Sequence, residues 1–257
     1  VVQCVLLQAS TLIDGLYYDL DTSNRTATVT YEVDGTDNYA SLPADVKIPE
    51  SVTYDGVTYS VTEIGAKAFA NCKVMESISI PKTVMYVGTS GMDTNITPIC
   101  LPFYNCTSLK NVRFEDGDQI LTLGSHNYAY ESSNYDNYYY YYYGDCHGLF
   151  VSCPLESVYI GRSLKYSAAY SISYFHLKGY TFDDDPQYFG YSAFYKQTKL
   201  KSVTISSFVT ELPRYLFSGC SSLETLSIAK GLMGVPSHAF EGCNLSSVIL
   251  PNSVSEI

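Results

Sequence analysis

The chain has 257 residues, 46% of them apolar and 16% charged, and its formal net charge is −11. That much apolar material can fill a core, whereas the acidic balance argues against nucleic acid or an anionic membrane surface as partner, since both require basic patches. No apolar run approaches the roughly 18 residues that span a bilayer, so no membrane insertion of this segment is expected.

Val1 to Ala9 (VVQCVLLQA) is short, apolar and lacks a basic start. It reads as a first strand in preference to the tail of a processed leader, and no secretion signal is visible. Gly15-Leu16-Tyr17-Tyr18-Asp19-Leu20 and Thr26-Ala27-Thr28-Val29-Thr30-Tyr31-Glu32-Val33 read as two strands around the polar turn Asp21 to Arg25. Residues 1–45 are therefore expected to form an N-terminal antiparallel β cap that shields the open edge of the first coil beyond residue 45. Val46-x-Ile48-Pro49 matches the strand end of a unit that recurs along the rest of the chain. Tyr54-Asp55-Gly56-Val57 predicts a hairpin, because Asp-Gly supplies the positive φ values of a type I′ turn.

The anchor of the recurring unit is a Phe with a Cys three residues later: Phe69–Cys72, Phe103–Cys106, Phe150–Cys153, Phe194–Gln197, Phe217–Cys220 and Phe240–Cys243. An apolar residue comes after it (Met75, Leu109, Leu155, Leu200, Leu223, Leu245), then apolar-x-apolar: Ile78 and Ile80, Val112 and Phe114, Val158 and Ile160, Val203 and Ile205, Leu226 and Ile228, Val248 and Leu250. The closing pair has period two, which is a short strand with one buried face. A single unit cannot bury that face, so the units must stack into a solenoid with parallel strands. The Phe segment is expected to carry the chain back across the coil. Each coil then buries roughly five apolar side chains, worth about 1.5–3 kcal/mol apiece.

The stretch Ile64-Gly65-x-x-Ala68-Phe69-x-x-Cys72-x-x-Met75-x-x-Ile78-x-Ile80-Pro81-x-x-Val84 resembles the BspA-like leucine-rich repeat of bacterial surface proteins. The resemblance runs from about Val46 to Ile257 and departs from the family pattern at Gln197, at Met75 and in three long loops. It implies a leucine-rich-repeat solenoid over residues 46–257, a right-handed superhelix with short parallel strands and little helix. Similar caps accompany the family. It also implies a secreted or cell-surface protein that contacts host or neighbouring-cell macromolecules.

The spacing between coils is uneven. Ile205 to Phe217 and Ile228 to Phe240 each span 12 residues, but Ile48 to Phe69 spans 21, Ile80 to Phe103 spans 23, Phe114 to Phe150 spans 36 and Ile160 to Phe194 spans 34. All four insertions fall at the same register, so they are expected to project from one edge; the three longest lie near 88–100, 115–147 and 165–190. Of the 26 Tyr, nine fall within 115–149 and six within 161–193. Tyr among Ser, Asn and Gly is the composition of a binding surface, with large amphipathic contact area at low entropy cost. The candidate ligand-binding residues are Tyr128, Tyr130, Tyr135, Tyr138, Tyr139, Tyr140, Tyr141, Tyr142, Tyr143, Tyr170, Tyr174 and Tyr180. The competing reading is a low-complexity loop that packs on its neighbour or wanders.

The exposed strand positions form a concave face made mostly of Ser and Thr, with Arg113 and Tyr159 as the only anchors of the kind that dominate binding surfaces. This face is the alternative site. The repeat Cys read as a column of buried thiols whose parallel side chains suit a disulfide poorly; Cys100 and Cys146 are a candidate bridge. No Cys-x-x-Cys pair, metalloprotease motif, phosphate loop or dinucleotide fingerprint occurs, so no metal, cofactor or catalytic residue is assigned. Asp183-Asp184-Asp185 reads as a solvated acidic turn in preference to a calcium site. His126, His147, His176 and His238 form no motif.

The chain stops where another Gly-x-x-Ala-Phe would begin. It reads as cut short there, in preference to an open edge that pairs end to end with another copy. Three functions are compatible with these features. The favoured one is an adhesin-like module that binds a protein or glycan on another cell or matrix through the Tyr-rich edge. A structural spacer or display segment of a larger surface protein comes second and a carbohydrate-active enzyme third, since no catalytic constellation appears.

Overall fold

The structure is a computed structural model; it describes residues 10–35, 37–88, 101–124, 149–166 and 193–257 in full, and 129–133 and 139–143 as backbone. The expected first strand, Val1 to Ala9, lies outside the described residues. Strands β1 (Thr11–Ile13), β2 (Leu16–Asp21) and β3 (Thr26–Thr30) run antiparallel in sequence order. Leu16, Tyr18 and Leu20 are buried on one face of β2, as its alternation dictates. Asp21 closes the β2–β3 turn by accepting the Ser23 and Asn24 amides at 2.9 and 3.0 Å. β3 ends short of the expected Val33. The amides of Glu32 and Val33 instead donate to Oδ1 of Asn38, a side chain that is itself buried.

Among the described residues every regular element is a strand. β4 (Asp45–Lys47) precedes the expected hairpin of β5 (Ser51–Tyr54) and β6 (Val57–Ile64), whose turn holds Asp55 at φ 49° and Gly56 at φ 76°. The coils continue as β7 (Ser77–Ile80), β8 (Tyr86–Val87), β9 (Asn111–Phe114), β10 (Leu121–Leu123), β11 (Ala129–Ser133), β12 (Tyr139–Tyr143), β13 (Ser157–Ile160), β14 (Leu164–Tyr166), β15 (Ser202–Ile205) and β16 (Thr225–Ile228).

The apolar-x-apolar segments form one six-stranded sheet, ordered β16-β15-β13-β9-β7-β4, and every pairing is parallel. The register is unbroken: Ile80, Phe114, Ile160, Ile205 and Ile228 stand side by side across β7 to β16. Ser247 to Leu250, which carries the same pattern, is not a strand, and Ile249 is 88% exposed. Among the described residues that segment takes part in no strand pairing. β13 has the same short Cys-to-Leu spacing but is held from both sides.

A second sheet, which the repeat pattern does not foretell, is ordered β1-β2-β3-β6-β8-β10-β14, with β5 attached to β6. Its strands from β3 onward along that path are parallel. The coils that begin with β4, β7, β9 and β13 therefore each add a strand to this second sheet, and residues such as Leu121 to Leu123, assigned by spacing to an insertion, belong to the coil.

The Phe residues lie behind the strands in a single column. Phe69, Phe103, Phe150, Phe194, Phe217 and Phe240 stack at centroid distances of 5.6, 4.8, 5.1, 5.0 and 5.6 Å, with planes within 14° of parallel. Tyr39 extends the column, 5.4 Å from Phe69, and its hydroxyl donates to the Thr30 carbonyl while accepting the Tyr17 amide.

The Cys column is a hydrogen-bond ladder. Cys106, Cys153, Cys220 and Cys243 each donate from Sγ to the carbonyl of the preceding coil's Phe, at 3.0, 3.0, 3.1 and 3.3 Å. Gln197 stands in the same place and its Nε2 reaches the Phe150 carbonyl at 2.8 Å. The departure from the repeat keeps the donor and changes only the atom that carries it.

Between Phe and Cys the backbone turns left-handed in all six coils, at Asn71, Asn105, Ser152, Lys196, Gly219 and Gly242, with φ between 52° and 73°. Asn and Gly are the residues that accept this conformation at least cost. That preference is a periodic signal that the apolar spacing alone passes over.

Candidate functional site

The exposed face of the six-stranded sheet holds a groove of about 400 Å³. Its rim and floor come from successive strands: Asp45 and Lys47, Ser77 and Ser79, Asn111 and Arg113, Ser157 and Tyr159, Ser202 and Thr204. The parallel register places equivalent residues side by side, so one lane reads Asn111, Ser157, Ser202 and the next reads Arg113, Tyr159, Thr204.

Arg113 and Tyr159, expected only as separate anchors, are direct register partners. The guanidinium carbon of Arg113 sits 3.7 Å from the Tyr159 ring centroid, a cation–π stack. The Tyr159 hydroxyl donates to Oδ1 of Asp116 at 2.8 Å, which locks the ring from its far end. Ser157 donates to Oδ1 of Asn111 at 2.7 Å and so orients the Asn111 amide. Ser79 donates to Glu115 at 3.0 Å, and Lys47 pairs with the same carboxylate oxygen at 3.7 Å. Lys47 is largely exposed, so that pair contributes little by itself. Asp116 and Glu115 escape a reading of the repeat because they lie just past the strand, at a point where other coils have Pro81 or Gly161.

Below this face, Arg162 is fully buried. Its guanidinium crosses an intervening coil to donate to the carbonyls of Pro81 and Lys82 at 2.9 and 2.7 Å, while Nε has no partner. Burial lowers its pKa to about 10, against the opposing pull of Glu115. Gly161 lets the chain pass this closely: a Cβ there would stand 2.3 Å from the Phe114 carbonyl oxygen.

The strand ends that precede the two Tyr-rich stretches are matched points of the fold. β8, β10 and β14 are adjacent in the second sheet. Leu123 at the end of β10 is in register with Tyr166 at the end of β14, and the two longest insertions begin just beyond these residues. The base of the second is tied, since the Ala193 amide donates to the Tyr166 hydroxyl at 3.3 Å. Within the first, Tyr139 to Tyr143 form β12 and pair antiparallel with β11, with Tyr130 opposite Tyr142. Tyr128, Tyr135, Tyr138, Tyr170, Tyr174 and Tyr180 lie outside the described residues, as do Cys100, Cys146, Asp183 to Asp185, His126, His147 and His176.

Cys72, Cys106, Cys153, Cys220 and Cys243 are free thiols. Burial pushes Cys220 up to about 12 and Cys243 up to about 11, and raises Cys106 well above the ordinary thiol range, so these groups are protonated and unreactive at neutral pH. Among the described residues no group of His, Cys, Asp and Glu is arranged to hold a metal ion, and no helix is long and apolar enough to cross a membrane.

The chain is similar to a leucine-rich cell surface protein of Faecalibacterium prausnitzii, at 22% identity over 97% of this chain and a TM-score of 0.46, and it spans 50% of that protein's length. It is also similar to a leucine-rich repeat protein of Bacteroides capillosus (17% identity, 86% of this chain and 99% of that one, TM-score 0.40). A third is a T. pallidum leucine-rich repeat protein (18%, 91% and 89%, TM-score 0.41). No curated protein matches the chain. Residues 50–137 and 146–257 match the BspA type leucine rich repeat region, in 6 copies. The chain therefore belongs to the BspA-type leucine-rich-repeat family.

Proposed function

We propose that this chain is a secreted or cell-surface binding module, adhesin-like in action, that engages a protein or glycan on a host cell, a neighbouring cell or the matrix through its Tyr-rich insertion edge. The observation that carries this reading is the common origin of the two longest insertions, directly after β10 and β14, which are neighbouring strands in register. Strands pair about 4.8 Å apart, so Leu123 and Tyr166, the strand ends that precede the two Tyr-rich segments in the chain, lie side by side. In this reading the solenoid is a right-handed superhelix, and the β1–β3 meander closes its first coil. The coils act as a rigid mount and perform no catalysis, and the acidic balance keeps nucleic acid and anionic membranes away.

The test replaces Glu131–Tyr143 with a short Gly-Ser linker and screens both proteins on arrays of glycans and matrix proteins. The variant should melt as the parent does and lose the parent's array signals. Signals that survive the replacement would move the binding site off this edge.

A further inference from the structure

We infer that the groove on the six-stranded sheet is a second binding site, independent of the Tyr-rich edge, and that it takes a carboxylate-bearing saccharide, the acid group seated on Arg113.

The guanidinium of Arg113 is exposed and lies against the Tyr159 ring. Among the described residues no carboxylate or carbonyl accepts its N–H groups. The other cation lining this groove, Lys47, stands two strands away and lies 3.7 Å from Glu115 in an exposed pair. A flat guanidinium stacked on a ring keeps its edge N–H groups free and its rotamers few, so the ordering of a long side chain is largely complete before a ligand arrives. The ring is held in turn by Asp116. A pre-set fork of this kind matches the two oxygens of a carboxylate.

The surroundings select the rest of the ligand. Ile78, Val112 and Val158 in the floor are buried, so a ligand meets Ser79, Asn111, Ser157, Ser202, Thr204 and the stacked pair. These are short donors and acceptors spaced by the strand repeat, set in a lining whose accessible surface is mostly carbon. They suit a run of sugar hydroxyls on either side of the acid group. Glu115 and Asp116 lie just beyond Arg113, and the whole chain carries −11. Such a field tolerates one carboxylate held in a fork better than a phosphate dianion or a densely sulfated chain.

The experiment titrates the chain calorimetrically with three otherwise neutral oligosaccharides that carry a single carboxylate (on one galacturonate, glucuronate or sialic acid residue) and with their carboxyl-reduced forms. Poly-glutamate and a sulfated glycan run beside them. At least one carboxylated oligomer should bind, and reduction of its carboxyl should abolish that binding. Arg113→Gln should weaken it about tenfold or more while melting as the parent does, in line with the loss of a charged hydrogen bond. Arg113→Lys, which keeps the charge without the fork, should fall between the two. The Glu131–Tyr143 replacement should leave it unchanged, which separates this site from the edge. Binding to none of the three overturns the proposal. So does equal binding of the reduced forms, an Arg113→Gln variant that binds like the parent, or poly-glutamate or the sulfated glycan binding more tightly.

Discussion

Two sides of the same strands behave differently. Toward the interior, Ile80, Phe114, Ile160, Ile205 and Ile228 repeat one chemical type from coil to coil, and the Phe column behind them stacks without a break. Toward solvent, the lane Ser79, Arg113, Tyr159, Thr204 changes at every step. Close packing explains the contrast. An interior position must fit the coil on each side, so a change of shape opens a void or a clash. An outer position meets its neighbours only at the side-chain level and is free to vary. The regular side therefore reports on folding, and the irregular side is where a coil acquires individual chemistry.

This contrast can be broken most severely at the column. Phe217→Ala removes a ring stacked between Phe194 and Phe240 and should cost about 3–5 kcal/mol, read from urea unfolding. A cost near that of an exposed substitution would mean that the coils do not depend on the column.

Alkaline pH attacks the same interior by another route. Unfolded thiols ionise near about pH 8.5, whereas Cys243 and Cys220 stay protonated in the fold up to about 11 and 12. The native state then holds more protons than the unfolded one. The thiols' contribution is complete below about pH 8.5 and is lost as pH climbs through that window. Denaturant midpoints measured across it should fall, and a Cys220→Ala variant should fall less steeply than the parent. Parallel pH profiles would show that the buried thiols are not the cause.

The smallest effect sharpens the comparison. Gln197→Ala deletes the Nε2 donor to the Phe150 carbonyl, which keeps its bond from the Cys153 amide. The loss should be about 1–2 kcal/mol. Gln197→Cys, which returns the column's usual donor, should recover part of it in the same unfolding measurement. No difference between the Ala and Cys variants would mean that the ladder is incidental.

Legibility divides along the same line. The Phe, Cys and apolar-x-apolar offsets are readable because six coils impose one geometry six times. Gln197 looks like a defect, since the sequence displays residue type and hides the shared bond to a carbonyl. The second sheet escapes notice because β8 and β10 are only two and three residues long, too short to display a period. Its pairing comes from the stacking of coils that the first sheet has already set in register. At the groove, Arg113 and Tyr159 are visible as unusual residues on a Ser and Thr face. Their contact, and its brace at Asp116, depends on which positions of separate coils stand opposite each other.

The amino-acid sequence alone thus determined the family, the coil, the buried column and the places where the coil is interrupted. Each rests on local spacing, and spacing survives in one dimension. Tertiary structure decided that four of the coils carry a second strand, that a Gln replaces a thiol as donor, and that Arg113 lies on Tyr159 with its edge exposed. Each of these joins residues dozens of positions apart in the chain, brought together only when the coils stack.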